Sequence, residues 1–152
     1  MASLFTNRYV RVKSQNWSNT LMESTGIETN HLIPLFVYGT LRSGGSNHWR
    51  MAKASFISSA ITHGSLYCID WYPGLVIDQL SSIVYGELYY CDELLLEKLD
   101  DFEGDIEYER QKRSVKTPDG KEIEAFIWIY KKPIDTFTKI TSGDWLLHLN
   151  RK

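Results

Sequence analysis

Glu103 stands where an apolar residue is expected. A helix is predicted to begin at Asp92, whose carboxylate can accept a bond from the first free backbone N–H groups. Glu93 follows in the first turn, where the helix dipole favours negative charge. Leu95, Leu96, Leu99 and Phe102 then fall on one face at helical spacing, and Gly104 supplies the stop. Extending that stripe from Leu96 and Leu99 leads to Glu103, because positions i, i+3 and i+7 share a face. A carboxyl on the core side of a helix, at its negative end, is disfavoured as an anion, and its pKa rises. Such a group suits general acid/base work near neutral pH. The alternative is a frayed helix end that leaves Glu103 in water with Asp105 and Glu107.

The second unusual segment is Tyr38-Gly39-Thr40-Leu41-Arg42, followed by Ser43-Gly44-Gly45-Ser46-Asn47. A strand that ends in glycine and enters a polar loop exposes backbone N–H groups, which can cradle a carboxylate or a phosphate. The loop is neither a Walker loop, lacking a closing Gly-Lys-Ser/Thr, nor a GxGxxG dinucleotide fingerprint. Read in isolation, it is equally an ordinary turn.

Other chemistries find less support. The two cysteines, Cys68 and Cys91, form no CxxC pair, there is no HExxH, and His31, His48, His63 and His148 are scattered. The thiols read as reduced and partly buried, which fits a reducing compartment.

These residues need elements to position them. Residues 35–38 form a short β-favouring run, and residues 48–54 read as a short helix. Residues 56–69 read as one or two strands, Trp71-Tyr72-Pro73-Gly74 as a turn, and residues 75–77 and 83–89 as strands. After the helix, residues 110–116 and 123–130 pair as a hairpin through Thr117-Pro118-Asp119-Gly120. Residues 145–149 close the chain, helical by expectation. Many strands with one or two short helices predict a small β-rich α+β domain, barrel-like in form.

The chain has 152 residues, the length of one domain, with 43% hydrophobic and 24% charged residues. A net charge of -2 argues against nucleic acid as the main partner. No apolar run is long enough to span a bilayer. Residues 1–31 are basic, rich in Ser, Thr and Asn and without a clear apolar period. They read as an N-terminal extension, either a terminal arm or a transit peptide, ahead of a domain over 32–152.

Taken together, the segments resemble the gamma-glutamylcyclotransferase superfamily, in its gamma-glutamylamine cyclotransferase and avirulence-induced-protein-like branch. Phe36-Val37-Tyr38-Gly39-Thr40-Leu41-Arg42 resembles the family's opening signature. Val84-Tyr85-Gly86-Glu87-Leu88-Tyr89 is similar to its V-x-G-E-L-Y strand. Leu99-Asp100-Asp101-Phe102-Glu103-Gly104 with Tyr108-Glu109-Arg110 resembles L-D-x-x-E-G…Y-x-R, and Ser142-Gly143-Asp144-Trp145 its closing stretch. The likeness runs over about residues 34–148. It implies a small mixed β-barrel with flanking short helices, no cofactor and no metal. It also implies cyclisation of a gamma-glutamyl amine, or a related small amide, to 5-oxoproline. Glu103 would be the acid/base, and Tyr38, Gly39, Thr40 and Leu41 the substrate cradle. Tyr108 is expected in the pocket and Arg42 as a charge anchor for substrate, whereas Arg110 is expected to pair with a nearby acid. The expected partner is a small gamma-glutamyl molecule, with no nucleic acid and no membrane, in the cytoplasm. The alternative is a non-catalytic module on the same fold that binds a small ligand or a protein, since folds outlive functions.

Overall fold

The computed structural model describes residues 33–151, so the expected extension over 1–31 lies outside the described residues. The chain runs β1 (Ile33–Val37), a single 3-10 turn (His48–Met51), β2 (Ser55–Cys68), β3 (Pro73–Val76) and β4 (Ser82–Cys91). It continues through α1 (Glu93–Glu103), β5 (Tyr108–Lys116), β6 (Glu122–Tyr130), β7 (Thr138–Lys139) and α2 (Trp145–Asn150).

Five strands close on themselves. β2 pairs antiparallel with β4, β4 with β1, β1 runs parallel to β6, β6 pairs antiparallel with β5, and β5 returns to β2 at Lys116↔Ile61. Closure removes the open edges of these five strands, which would otherwise invite aggregation. The far half of β2 leaves the ring and carries β3 and β7. The one or two strands expected over 56–69 are thus a single strand, with an irregularity between Phe56 and Ser58.

Strand alternation sorts the apolar residues into two cores. Phe36, Leu88, Ala125, Ile127 and Ile129 point into the barrel with Trp145 of α2. Leu35, Val37, Trp128 and Tyr130 point the other way, onto Leu95, Leu96 and Leu99 of α1. β1 is buried on both faces, which is why its sequence is a continuous apolar run instead of an alternating one.

α1 forms as its signals predict. Asp92 caps it through Leu95 N–H at 2.8 Å. Gly104 ends it at φ +79, with its N–H on the Asp100 carbonyl. The hairpin also forms, with Gly120 N–H on the Thr117 carbonyl at 2.9 Å. The segment 71–74 is only half a turn: Pro73 and Gly74 already pair with β2.

Candidate active site

A cavity of about 280 Å³ opens where β1 ends beside the C-terminal end of α1. Tyr38, Gly39, Thr40 and Leu41 line one side, and Glu103 and Tyr108 another. The loop after β1 and the helix end are some sixty positions apart in the chain. β1 and α1 are stacked in one core, so each delivers its terminal residue to the same space.

The loop is held by its own carbonyls. Arg42 N–H bonds the Gly39 carbonyl at 3.1 Å, Asn47 N–H bonds the Thr40 carbonyl at 2.9 Å, and His48 Nδ1 lies 2.9 Å from the Leu41 carbonyl. These turn bonds leave the N–H groups of Gly39, Thr40 and Leu41 without a partner inside the turn. Gly39 also permits a close approach: a Cβ there would stand 2.7 Å from Pro73 Cγ at the start of β3.

The two tyrosines are walls with committed hydroxyls. Tyr38 Oη donates to the Trp128 carbonyl at 2.8 Å and accepts from Leu75 N–H at 3.1 Å. Tyr108 Oη donates to the Pro73 carbonyl at 2.6 Å. Burial raises both phenols further above their ordinary value, and the nearby Glu103 carboxylate adds to the effect. Both therefore stay protonated at neutral pH, with their hydroxyls held by backbone carbonyls.

Glu103 differs. Burial, reinforced by the neighbouring Asp100 carboxylate and opposed by Arg50, pushes its carboxyl up to about 7. Asp100 is engaged elsewhere, accepting Arg110 Nη1 at 2.6 Å and Trp128 Nε1 at 2.8 Å. Arg110 thus makes the structural pair expected of it. Arg50 lies over the Phe102 ring, 4.0 Å from its centre.

A consequence for stability follows. Because the folded chain holds this proton more tightly than the unfolded chain does, stability falls as pH rises from the ordinary value of 4.5 to about 7. Above that, the charge on this half-buried, desolvated carboxylate is a constant cost, of up to about 3 kcal/mol. Glu103→Gln is therefore expected to melt higher than the parent at pH 8, the difference vanishing toward pH 4.5. A pair of thermal melts at the two pH values checks this.

Arg42, expected as a substrate anchor, does not line the cavity. Its guanidinium bonds Glu87 Oε2 at 3.2 Å and Asp144 Oδ1 at 3.0 Å, so its charge is used inside the fold. Glu107, grouped with the solvated acids, lines the cavity instead. So do Trp71, Tyr72, Pro73, Phe102 and Trp128. Phe102 could be foreseen from the α1 stripe. Trp128 could be foreseen from alternation along β6, which turns it onto the same side as Tyr130. Nothing local marked Trp71 and Tyr72.

Residues 35–147 match the family described as Gamma-glutamyl cyclotransferase, AIG2-like. The chain belongs to this family. YtfP of Escherichia coli (strain K12), a gamma-glutamylcyclotransferase family protein, is 37% identical over 115 residues, which are 74% of this chain and 95% of YtfP. YkqA of Bacillus subtilis is 41% identical over 117 residues, 75% of this chain and 41% of YkqA, so the chain spans about two fifths of that relative. Among solved structures, YkqA superposes with a TM-score of 0.67 at 37% identity, over 80% of this chain and 43% of YkqA. An AIG2-like protein from Mus musculus superposes with a TM-score of 0.64 at 27% identity, over 73% of this chain and 87% of its own. The mixed barrel with short flanking helices is thus the gamma-glutamylcyclotransferase fold. Among the described residues, no group of three or more His, Cys, Asp or Glu is placed to hold a metal ion. No described helix is long and apolar enough to cross a membrane.

Proposed function

We propose that the chain cyclises a gamma-glutamyl amine, or a related small gamma-glutamyl amide, to 5-oxoproline and the free amine, with Glu103 as general acid/base. The observation that carries this reading is a carboxyl poised at about 7 in the cavity that the 38–41 loop also lines.

The substrate contains both reactants. Folding the gamma-glutamyl chain back brings its α-nitrogen to its own γ-carbonyl, and positioning of this kind removes much of a barrier. The α-ammonium cannot attack until it gives a proton to the Glu103 carboxylate. The nitrogen then bonds the γ-carbon, and the C–N bond to the leaving amine breaks as Glu103 returns the proton to that nitrogen. The ring nitrogen loses a second proton and the departing amine gains one, so protons balance and no water is consumed. The N–H groups of Gly39, Thr40 and Leu41 suit the substrate carboxylate or the developing oxyanion. Because the nucleophile belongs to the substrate, one carboxyl suffices and no Ser–His or Cys–His pair is required.

The test is a panel of gamma-glutamyl amines, gamma-glutamyl dipeptides and glutathione, assayed for 5-oxoproline. Release from at least one amide is expected. Binding of panel members without any release would favour the non-catalytic module instead.

A further inference from the structure

We propose that Glu107, with the rings of Trp71 and Tyr72, selects amides whose leaving amine carries a second positive charge, as a mono-acylated diamine does. This rests on the cyclotransferase reading of the same cavity.

The cavity has an inner and an outer end. Tyr38, Leu41 and Tyr108 are buried, whereas Trp71 is 60% exposed and Tyr72 and Glu107 are half-buried. These last three residues line the same cavity as Glu103, and we place the leaving amine of a gamma-glutamyl group whose α-nitrogen reaches Glu103 against them.

The outer end is negative. Among the described residues no Lys, Arg or His lines the cavity, and Glu103 and Glu107 are the carboxylates that do. Glu107 Oε1 accepts from Tyr72 Oη at 2.8 Å, and among the described residues no ion pair reaches Glu107. Burial raises the Tyr72 phenol, and Glu107 raises it further through the hydrogen bond it accepts and through its charge. The fold uses the backbone of Glu107, whose carbonyl accepts Lys131 N–H at 2.8 Å, while the residue lines the cavity.

The aromatic pair fits the same ligand. Trp71 and Tyr72 meet edge to face at 4.9 Å between ring centres, and the Glu107 bond fixes the Tyr72 ring. Ring faces attract ammonium groups, and an exposed Trp is the best of them. An ammonium leaving this cavity would meet a carboxylate and two rings. A carboxylate arm, such as the end of a gamma-glutamyl peptide, would meet like charge. The rim therefore attracts one class and repels another.

Three amides of equal length provide the test: mono-gamma-glutamyl 1,4-diaminobutane, gamma-glutamyl pentylamine and gamma-glutamyl 5-aminopentanoate. With the full chain, kcat/KM for 5-oxoproline release is expected to fall in the order cation, neutral, anion. The first step is expected to be roughly 10- to 100-fold, as for a charge-assisted contact plus a cation–ring contact. Glu107→Gln should collapse the cation-to-neutral ratio toward one, Glu107→Lys should reverse the order, and Glu97→Gln, on the exposed face of α1, should leave it unchanged. Equal rates on the cationic and neutral arms, or a preference that survives Glu107→Gln, would overturn the assignment while leaving the cyclotransferase reading intact. If none of the three is turned over, the cyclotransferase reading fails for them, and calorimetric affinities of the three amides decide the rim: the same order supports it and equal affinities reject it.

Discussion

Glu103→Gln is expected to lower kcat/KM for 5-oxoproline formation by about 10²- to 10⁴-fold while the substrate still binds. Gln has nearly the shape of Glu, so the packing of α1 through Leu95, Leu96 and Leu99 should survive. It cannot accept the α-ammonium proton, so the nucleophile stays protonated. In the parent, kcat/KM should rise with pH through about 7, because only the carboxylate can act as the base. That limb should disappear from the residual rate of the variant. Glu97→Gln, exposed on the same helix, should keep the parent rate. Taken with the higher melting temperature expected at pH 8, the prediction is that one substitution raises stability and removes activity, the trade-off of a destabilised active-site group. A variant that keeps most of the parent rate would end the general-base mechanism. A variant that loses activity together with its fold would make Glu103 structural.

The parts of this site that were legible in the sequence are those whose partners lie nearby in the chain. α1 carries its cap, stripe and stop within thirteen residues, from Asp92 to Gly104, and periodicity alone turned Glu103 inward. The hairpin of β5 and β6 is written in its turn. Glu107 is different. It follows the helix stop in the short segment Asp105-Ile106, which shows no period, and only the connection between β2 and β3, folding Tyr72 over it, makes it part of a cavity. Trp71-Tyr72-Pro73 reads locally as a turn, since what it covers is set by the pairing of Pro73 with Cys68 and by Tyr108 donating to the Pro73 carbonyl. β7, with two residues, is too short to show a period. Arg42 was misplaced for the same reason: an arginine in a Gly-rich loop looks available until β4 and α2, remote in sequence, bring Glu87 and Asp144 to it.

Arg42→Ala is accordingly expected to act on stability, lowering the unfolding free energy by about 3–5 kcal/mol, the usual cost of breaking a buried ion pair from one side. Both partners are well covered, with side-chain exposures of 13% for Arg42 and 10% for Glu87. Glu87 accepts Arg42 Nε, Ser43 N–H at 2.8 Å and Tyr89 Oη at 2.9 Å, so its carboxylate fastens the loop after β1 to the barrel wall. The other arm of Arg42 reaches Asp144, which caps α2 through Leu147 N–H at 3.1 Å. One guanidinium therefore ties the loop, β4 and the start of α2 together, and without it Glu87 remains charged, buried and unbalanced. A substrate anchor would behave differently: its loss would raise KM and leave denaturant unfolding unchanged. The double variant Arg42→Leu/Glu87→Met separates the two roles further. Replacing both charges with apolar groups removes the unpaired anion, so much of the lost stability should return. An Arg42 that served substrate alone would show no stability loss in the single variant and none to recover in the double.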